Sequence, residues 1–570
     1  MRLAPAVCCW LLASPAVAAE TKLVLGGAVP LDGPDHFFVP FDVPPGTVEI
    51  EVQHDDLSAD NILDWGLDDP AGFRGWGGGN SEPAVVGVDA ASRSYVAGAI
   101  APGEWRVVVG KAKILETPAS YALTVVLRDA PTLPPQPERM PYEPNAGLGG
   151  GPRWYAGDFH VHSRESGDAI PPLDEIAELA RSRGLDFVEI SDHNTLTQLE
   201  FMVDAQSRHP DLLFVPGMEF TTYAGHANAI GATAWVDHKI GQPGVTIAAA
   251  ATAFTAQGAL LAINHPALDL GDVCIGCAWK HEVPPSLAAV EIATGGLDKA
   301  GKFFTDDATA FWDGLCAQGL HVAAIGGSDD HRAGVDLDAF QSPIGDPTTM
   351  VFADGLSVPA ILEGVASGRT VVKLQGPADP MVVLESFGRV GDTIIADFAE
   401  LSATVTGAPA GSLVRFVHNG QAMDPIAVTG DEFVATVEAV APATGEDRWR
   451  AEVIVDGQPR TITSHLWLRE DPNHVPTDDE TATPGETGST GTPTTGGSSA
   501  TGGTTGVEPD AVNPLAPENG CACELENRPA APALQSLVLV LLLVPRRRRQ
   551  AHAKGERNGA RRGVLVPSSA

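Results

Sequence analysis

Positive charge is what this chain has least of: 36 Lys and Arg face 73 Asp and Glu across 570 residues, a formal net charge of −37. A field of that sign repels a phosphate backbone, so a nucleic-acid partner is not expected. Aromatics are few, at 6%, whereas 62 Gly and 46 Pro mark a turn-rich globular composition. Cysteine is sparse as well. Cys274 and Cys277 form a CxxC, but no second pair follows at zinc-finger spacing, so a local disulfide formed in an oxidising compartment is the expected state. Cys316 lies in a helical pattern and reads as a small buried apolar residue. No Gly-x-Ser-x-Gly elbow occurs, which leaves a serine esterase unsupported. The apolar stretches at 7–12 and 530–544 are both short for a bilayer; fifteen helical residues span about 22 Å against a hydrocarbon core of roughly 30 Å.

What is present divides the chain into several units, as its length leads one to expect. Residues 1–19 read as an export signal, with Arg2, a short apolar stretch, and the small residues Ala16, Val17, Ala18 and Ala19. Residues 20–129 alternate in short segments broken by Pro and Gly, which predicts a β-sandwich, and Pro-rich 130–153 reads as a linker. Within the sandwich, the run from Arg74 to Asn80 resembles a phosphate cradle but lacks the following Lys-Ser/Thr and a helix, so it reads as a loop. Residues 154–372 switch to strand–helix alternation: Pro171 and Pro172 open a helix that Gly184 ends, and further strands and helices follow. That layout predicts an α/β unit with a mainly parallel sheet or barrel, whose functional residues gather at the carboxyl ends of strands. Residues 376–469 predict a second β-sandwich, and 470–519 a Thr/Gly/Ser/Pro stalk unable to bury a core. Residues 520–550 hold Cys521 and Cys523, an apolar segment and the arginines at 546–549; a basic tail, 551–570, follows.

The chemistry is concentrated between His160 and His331. His160 and His162 flank one residue just after a strand, so both imidazoles share a face. Asp192-His193-Asn194 follows the next strand, and Glu219, His226, His265, Asp329 and His331 each stand just beyond a later strand end or turn. Each motif is weak alone. Their order in one α/β unit is best explained by convergence on one mouth. Imidazole and carboxylate donors suit Zn, Mn or Fe with no thiolate.

The set Asp158-Phe159-His160-Val161-His162-Ser163, Ser191-Asp192-His193-Asn194, Gly217-Met218-Glu219, Asn264-His265-Pro266 and Ser328-Asp329-Asp330-His331 resembles the PHP (polymerase and histidinol phosphatase) superfamily. With Gly225-His226-Ala227-Asn228 and the flanking β-domains, it looks nearest the secreted carbaryl-type ester hydrolase branch. The resemblance implies a multidomain fold: a central distorted (β/α)7 barrel between two β-sandwiches, with two or three divalent metals. It implies that His160, His162, Glu219 and Asp329 hold one metal. Asp168, His193 and His331 would hold a second, with Glu165 as the alternative to Asp168. Glu219 would bridge to a third site with His226 and His265. His160, His162, His193, Glu219, Asp329 and His331 are then the catalytic group. Asp192 and Asp330 are expected behind the ligands, orienting imidazoles; Arg332, His281 and Lys302 are candidates for gripping a charged substrate. The activity implied is hydrolysis of a small phosphoester, with a carboxylic or carbamate ester, or a non-catalytic surface-displayed binding protein, as alternatives. Residues 520–550 resemble the myxobacterial C-terminal sorting signal. That implies a sorting protease acting near Cys521 and Cys523, membrane contact through 530–549 before processing, and export to the cell surface or outer envelope, a plain membrane anchor being the alternative.

Overall fold

Alternation along the strand His36–Val43 shows how the first layer forms: Val39, Phe41 and Val43 turn inward while Pro40 and Asp42 face solvent. This strand belongs to an antiparallel sheet with Gly103–Lys113, Ile62–Asp69 and Gly72–Gly78. A second four-stranded sheet, Glu20–Ala28, Ser120–Arg128, Glu49–Asp55 and Ala84–Gly87, packs against it around Ile50, Leu67, Trp105 and Leu123. The protein is seen here as a computed structural model, which describes residues 19–271, 274–299, 301–337 and 341–472. All lie in one compact unit, Met1–Glu480. The export signal up to residue 18, the stalk from 473, Cys521, Cys523, the apolar stretch, the arginine cluster and the basic tail lie outside the described residues.

The segment 130–152 carries no named element, yet it is pinned: Arg139 donates to Glu200 Oε2 of the central region and to the backbone oxygens of Tyr95 and Ala91 in the sandwich. The helix Leu173–Ser182 then buries Leu173, Ile176, Ala177 and Ala180, one face at helical spacing, against Val188 and Ile190 of the strand Phe187–Ile190.

The central region holds two sheets. In the first, Leu213–Pro216, Phe187–Ile190 and Arg153–Asp158 run parallel, and Thr348–Ala353 and Thr370–Lys373 continue it antiparallel. In the second, the hairpin Glu219–Thr222 and Gly225–Ile230 pairs antiparallel with Leu260–Ile263, which runs parallel to Leu287–Thr294 and through it to Ala323–Gly327. The expected mainly parallel layout is therefore corrected to an evenly mixed one. A hairpin needs only a tight turn, and the turn at Tyr223–Ala224 lets Glu219–Thr222 fold straight back where a crossover was expected. Among the described residues no continuous ladder closes the ring; isolated bridges, His193 to Glu219 and Val161 to Asp330, join the two sheets. Both bridges fall at the candidate ligands.

The third layer is not hung separately. Thr370–Lys373 pairs with Gln458–Thr463, so the first central sheet runs on into the strands Asp447–Val455 and Leu413–His418. Opposite these, Met381–Glu385, Phe398–Thr406 and Glu432–Val440 form a three-stranded sheet over a core that includes Leu401, Val453 and Leu466. Among the described residues, no helix is long and apolar enough to cross a membrane.

Candidate metal centre

Strand ends deliver the polar side chains to one place. His160 and His162 follow Arg153–Asp158, His193 follows Phe187–Ile190, and Glu219 opens the hairpin that also carries His226. His265 follows Leu260–Ile263, and Asp329 and His331 follow Ala323–Gly327. His265 (φ 30°) and Asp329 (φ 55°) both sit in the left-handed region, a conformation costing on the order of 1–3 kcal/mol for a residue with a β-carbon and typical of functional sites.

Glu219, wholly buried, is the hub. Its Oε1 lies 3.2 Å from His226 Nδ1, 3.3 Å from His265 Nε2 and 3.4 Å from His160 Nε2, and its Oε2 lies 2.7 Å from His193 Nδ1. Asp329 Oδ1 lies 3.2 Å from His160 Nε2 and 3.1 Å from His162 Nε2. Asp168 Oδ2 lies 3.4 Å from both His193 Nε2 and His331 Nε2. Two donors on one tetrahedral ion with bonds of about 2.1 Å stand roughly 3.4 Å apart, so much of this spacing is what a shared cation requires. Three residues at a time, His160–His162–Asp329, His162–His193–His331 and His160–His265–Glu291 present donor atoms close enough to hold an ion. His160 Nε2, His162 Nδ1, His226 Nε2 and Glu219 Oε2 are buried without a hydrogen-bond partner, as atoms awaiting a ligand would be. The residues present fit divalent metal ions.

The electrostatics point the same way. Burial works against a charged His160, but the carboxylates of Asp329, Glu219 and Glu291 outweigh it and hold its pKa well above the ordinary value. His193 is likewise raised against burial, by Glu219 and Asp168. His162 goes the other way: burial, then the neighbouring imidazoles of His331 and His193, push it down to about 3. The cluster thus attracts positive charge while keeping some lone pairs free.

Asp168 and Glu165 face different ways. Glu165 points away, accepting the backbone N–H of Ser94 in the sandwich, while its own backbone oxygen accepts from Ser94 Oγ. Asp168, with a side chain 58% exposed, stands at the rim against the two imidazoles. Gly167 sets this up, because a β-carbon there would strike the backbone oxygen of Gly77. The loop that carries Asp168 therefore leans directly on the sandwich. We expect Asp168→Asn to lower metal content and Glu165→Gln to leave it intact while lowering Tm by a few degrees, on the order of 1–2 kcal/mol for a buried charged hydrogen bond; elemental analysis and a melting curve separate the two. Metal loss in the Glu165 variant alone would reverse the assignment.

Other expectations need correction. Asp192 accepts from Ser163 N and Oγ, and Asp330 from the backbone of Arg332, Gly334 and Ile344; neither hydrogen-bonds an imidazole. Both carboxylates shape the loops instead. The imidazole partners are Glu291 on His160 Nδ1 (3.1 Å), Thr221 Oγ1 on His193 Nδ1 (2.7 Å), and the backbone oxygens of Cys277 and Asp329 on His265 and His331. Glu291 also accepts from the His265 N–H (2.8 Å). The sequence signal for it was a lone carboxylate in the apolar strand Leu287–Thr294; Glu189 in Phe187–Ile190 is a second case, its carboxyl held well above the usual range by burial. Arg332 lines the cavity of about 800 Å³ in front of the cluster. His281 shares a hydrogen bond with Thr222 Oγ1 (2.7 Å). Lys302 is elsewhere: it lines a separate cavity bordered by Asp313, Arg450 and Arg460, between the helix Gly301–Cys316 and the last sandwich. Its place on a helix start carried no information about the site. Cys274 and Cys277 are disulfide-bonded, and Cys316 is a free buried thiol.

No family model matches the chain, and no curated protein matches it. Among solved structures it is similar to a two-domain protein from Bacteroides vulgatus whose name gives a PHP-like metal-dependent phosphoesterase, at 18% identity and a TM-score of 0.33, covering 57% of this chain and 99% of that one. It is also similar to a protein from Bifidobacterium adolescentis named for a metal-dependent phosphoesterase, at 14% identity and a TM-score of 0.24, over 39% and 97% of the two chains. A third is an amidohydrolase from Chromobacterium violaceum, at 14% identity and a TM-score of 0.22, over 33% and 93%. At such distances the functional reading rests on the geometry of the cluster: one carboxylate, Glu219, ringed by imidazoles from both central sheets.

Proposed function

We propose that this chain is a metal-dependent hydrolase of the PHP type, acting on a phosphoester, with its two central sheets as the halves of a distorted barrel. One observation carries the reading. His160, His162, Asp168, His193, Glu219, His226, His265, Asp329 and His331 meet through contacts of 2.7 to 3.7 Å, and several of them line one cavity open to solvent. His160, His162, Glu219 and Asp329 would hold one ion, Asp168, His193 and His331 a second, and His226 and His265 with Glu219 a third. When bound, such ions make a water nucleophilic near neutral pH and stabilise charge on the attacked centre. The chain itself fixes the geometry: Glu291 clamps His160 by its other nitrogen, and Thr221 does so for His193. Arg332 at the cavity wall would meet an anionic substrate.

The test is metal analysis of the full-length protein, then aryl phosphate and aryl acetate assays with and without Mn or Zn. Metal-dependent phosphate release is the expected result. Acetate release alone would move the reading to a carboxylic or carbamate ester hydrolase, and bound metal without turnover to a binding protein. We further propose export to the cell surface, with processing near Cys521 and Cys523; N- and C-terminal sequencing of the mature protein from the cell envelope checks it, and an intact chain in the cytoplasm overturns it.

A further inference from the structure

The N-terminal sandwich is part of the cavity wall. Asp64, Trp76 and the glycines Gly77 to Gly79 that follow it line the same space as Asp168, His193 and Glu219. Asp64 Oδ2 accepts a hydrogen bond from the Tyr223 hydroxyl at 2.7 Å. Tyr223 stands at the turn of the hairpin that carries Glu219 and His226, so this bond ties the sandwich to the ligand-bearing element. Gly110 shows the contact to be built in: it lies within the strand Gly103–Lys113, and a β-carbon there would collide with the Tyr223 hydroxyl and come within 3.3 Å of Asp64 Cβ. The sandwich thus leaves room for one aromatic ring to reach one carboxyl.

A metal centre that activates water and steadies the attacked atom does not by itself supply a proton to the departing oxygen. An alkoxide is a poor leaving group unless a proton reaches it as the bond breaks. The proposed ligands would not be free for this, because their donor atoms would be taken up by the ions. Asp64 differs: Tyr223 engages Oδ2, so a proton on the carboxyl sits on Oδ1. Burial pushes this carboxyl up to about 6, Tyr223 and His193 lowering it and Asp168 raising it.

We propose that Asp64 of the N-terminal sandwich is the proton donor to the leaving oxygen, with Tyr223 as its positioning residue. The proposal rests on the hydrolase reading above. In the step, the oxygen of the attacking water bonds to phosphorus. The bond from phosphorus to the leaving oxygen breaks with its electron pair on that oxygen, and the Asp64 proton passes to it. The proton lost by the water restores the acid. Ester and water become phosphate and alcohol, with nothing oxidised or reduced.

The experiment compares metal-loaded, full-length wild type, Asp64→Asn and Tyr223→Phe on an aryl phosphate, whose phenolate departs unaided, and an alkyl phosphate, whose alkoxide does not. For Asp64→Asn we expect a loss of ~10²–10⁴-fold in kcat/KM on the alkyl substrate and under about 10-fold on the aryl one, with metal content and Tm retained. Tyr223→Phe keeps the ring and should show the same split at smaller size, roughly 10-fold, because the acid is intact but loosely held. Equal losses on both substrates, or none, in both variants would overturn the proposal while leaving the hydrolase reading in place. Should Asp64→Asn lose metal or fold, the Tyr223→Phe split decides alone. Wild type that hydrolyses neither phosphate ester with metal bound would overturn the phosphoesterase reading itself.

Discussion

Glu219→Gln is expected to lower kcat/KM by at least ~10³-fold, the scale lost when a central electrostatic group leaves a reaction centre, and to lower bound metal with it. The side chain keeps its length and shape, so the effect reports charge and not packing. Around it, His226, His265 and His160 face Oε1, and His193 faces Oε2. Asn264 also donates to Oε1 at 2.9 Å, which fixes the orientation of the carboxylate. An amide in its place must direct an NH2 group at imidazole nitrogens or at an ion, and one of the two oxygens that could bridge is lost. Glu291→Gln makes the useful contrast. It removes the anionic partner of His160 Nδ1 but no proposed ligand, so a loss of about 10–100-fold is expected, with most of the metal kept. Elemental analysis beside steady-state kinetics measures both. A Glu219→Gln protein with full metal and full turnover would remove Glu219 from the centre.

The contrast between these two glutamates also shows what the sequence made legible. Glu219 follows a strand and sits four residues before a turn, so its position at a mouth could be read from pattern. Glu291 lies inside a strand, where the period-two rule says only which face it occupies and not what waits there. The same limit hid Asp64. It lies in a strand of another domain, 159 residues from Tyr223, and nothing local in the sequence announces that the two meet. The helix Leu173–Ser182 was readable because burial imposes a period on it, whereas the run from Arg74 to Asn80, read as a loop, is mostly the strand Gly72–Gly78, whose glycines leave no side-chain period to read. The direction in which strands pair was not, because pairing is decided by turn length and by partners far away in the chain. Thr348–Ala353 joins Arg153–Asp158 antiparallel across almost 200 residues, and neither segment carries a mark of the other. Asp168 was readable as a candidate only. What separates it from Glu165 is Ser94, whose backbone N–H takes the Glu165 carboxylate into the sandwich and so leaves the rim to Asp168.

Metal binding is expected to expel protons, and the affinity to climb with pH. In the metal-free cluster, burial opposes a charge on His331, but Asp168 and then Asp329 outweigh it and bring its pKa up to about 9. His160 and His193 are raised well above the ordinary value by Asp329, Glu219 and Asp168. These three imidazoles therefore hold protons at neutral pH, and an ion that needs their lone pairs must displace them. His162, at about 3, is already unprotonated and costs the ion nothing. The sign follows. Below the raised pKa values each displaced proton weakens binding by about tenfold per pH unit, so the logarithm of affinity should rise with a slope between about one and three, and the slope should fall by about one as His331 loses its proton. Stability without metal runs the opposite way. The His331–Asp168 pair is fully formed below the ordinary imidazole value of 6.5 and is lost as pH rises through about 9, so chelated protein should melt lower at alkaline pH. Loaded protein should not, because the ion replaces the protons; at a thousand times its dissociation constant it contributes about 4 kcal/mol. Calorimetric titration of chelated protein with Zn or Mn, in two buffers of different ionisation enthalpy, counts the released protons directly. A count near zero, or an affinity unchanged between about pH 6 and 8, would mean that the ion does not take the place of protons on these imidazoles, and the proposed ligand set would fall.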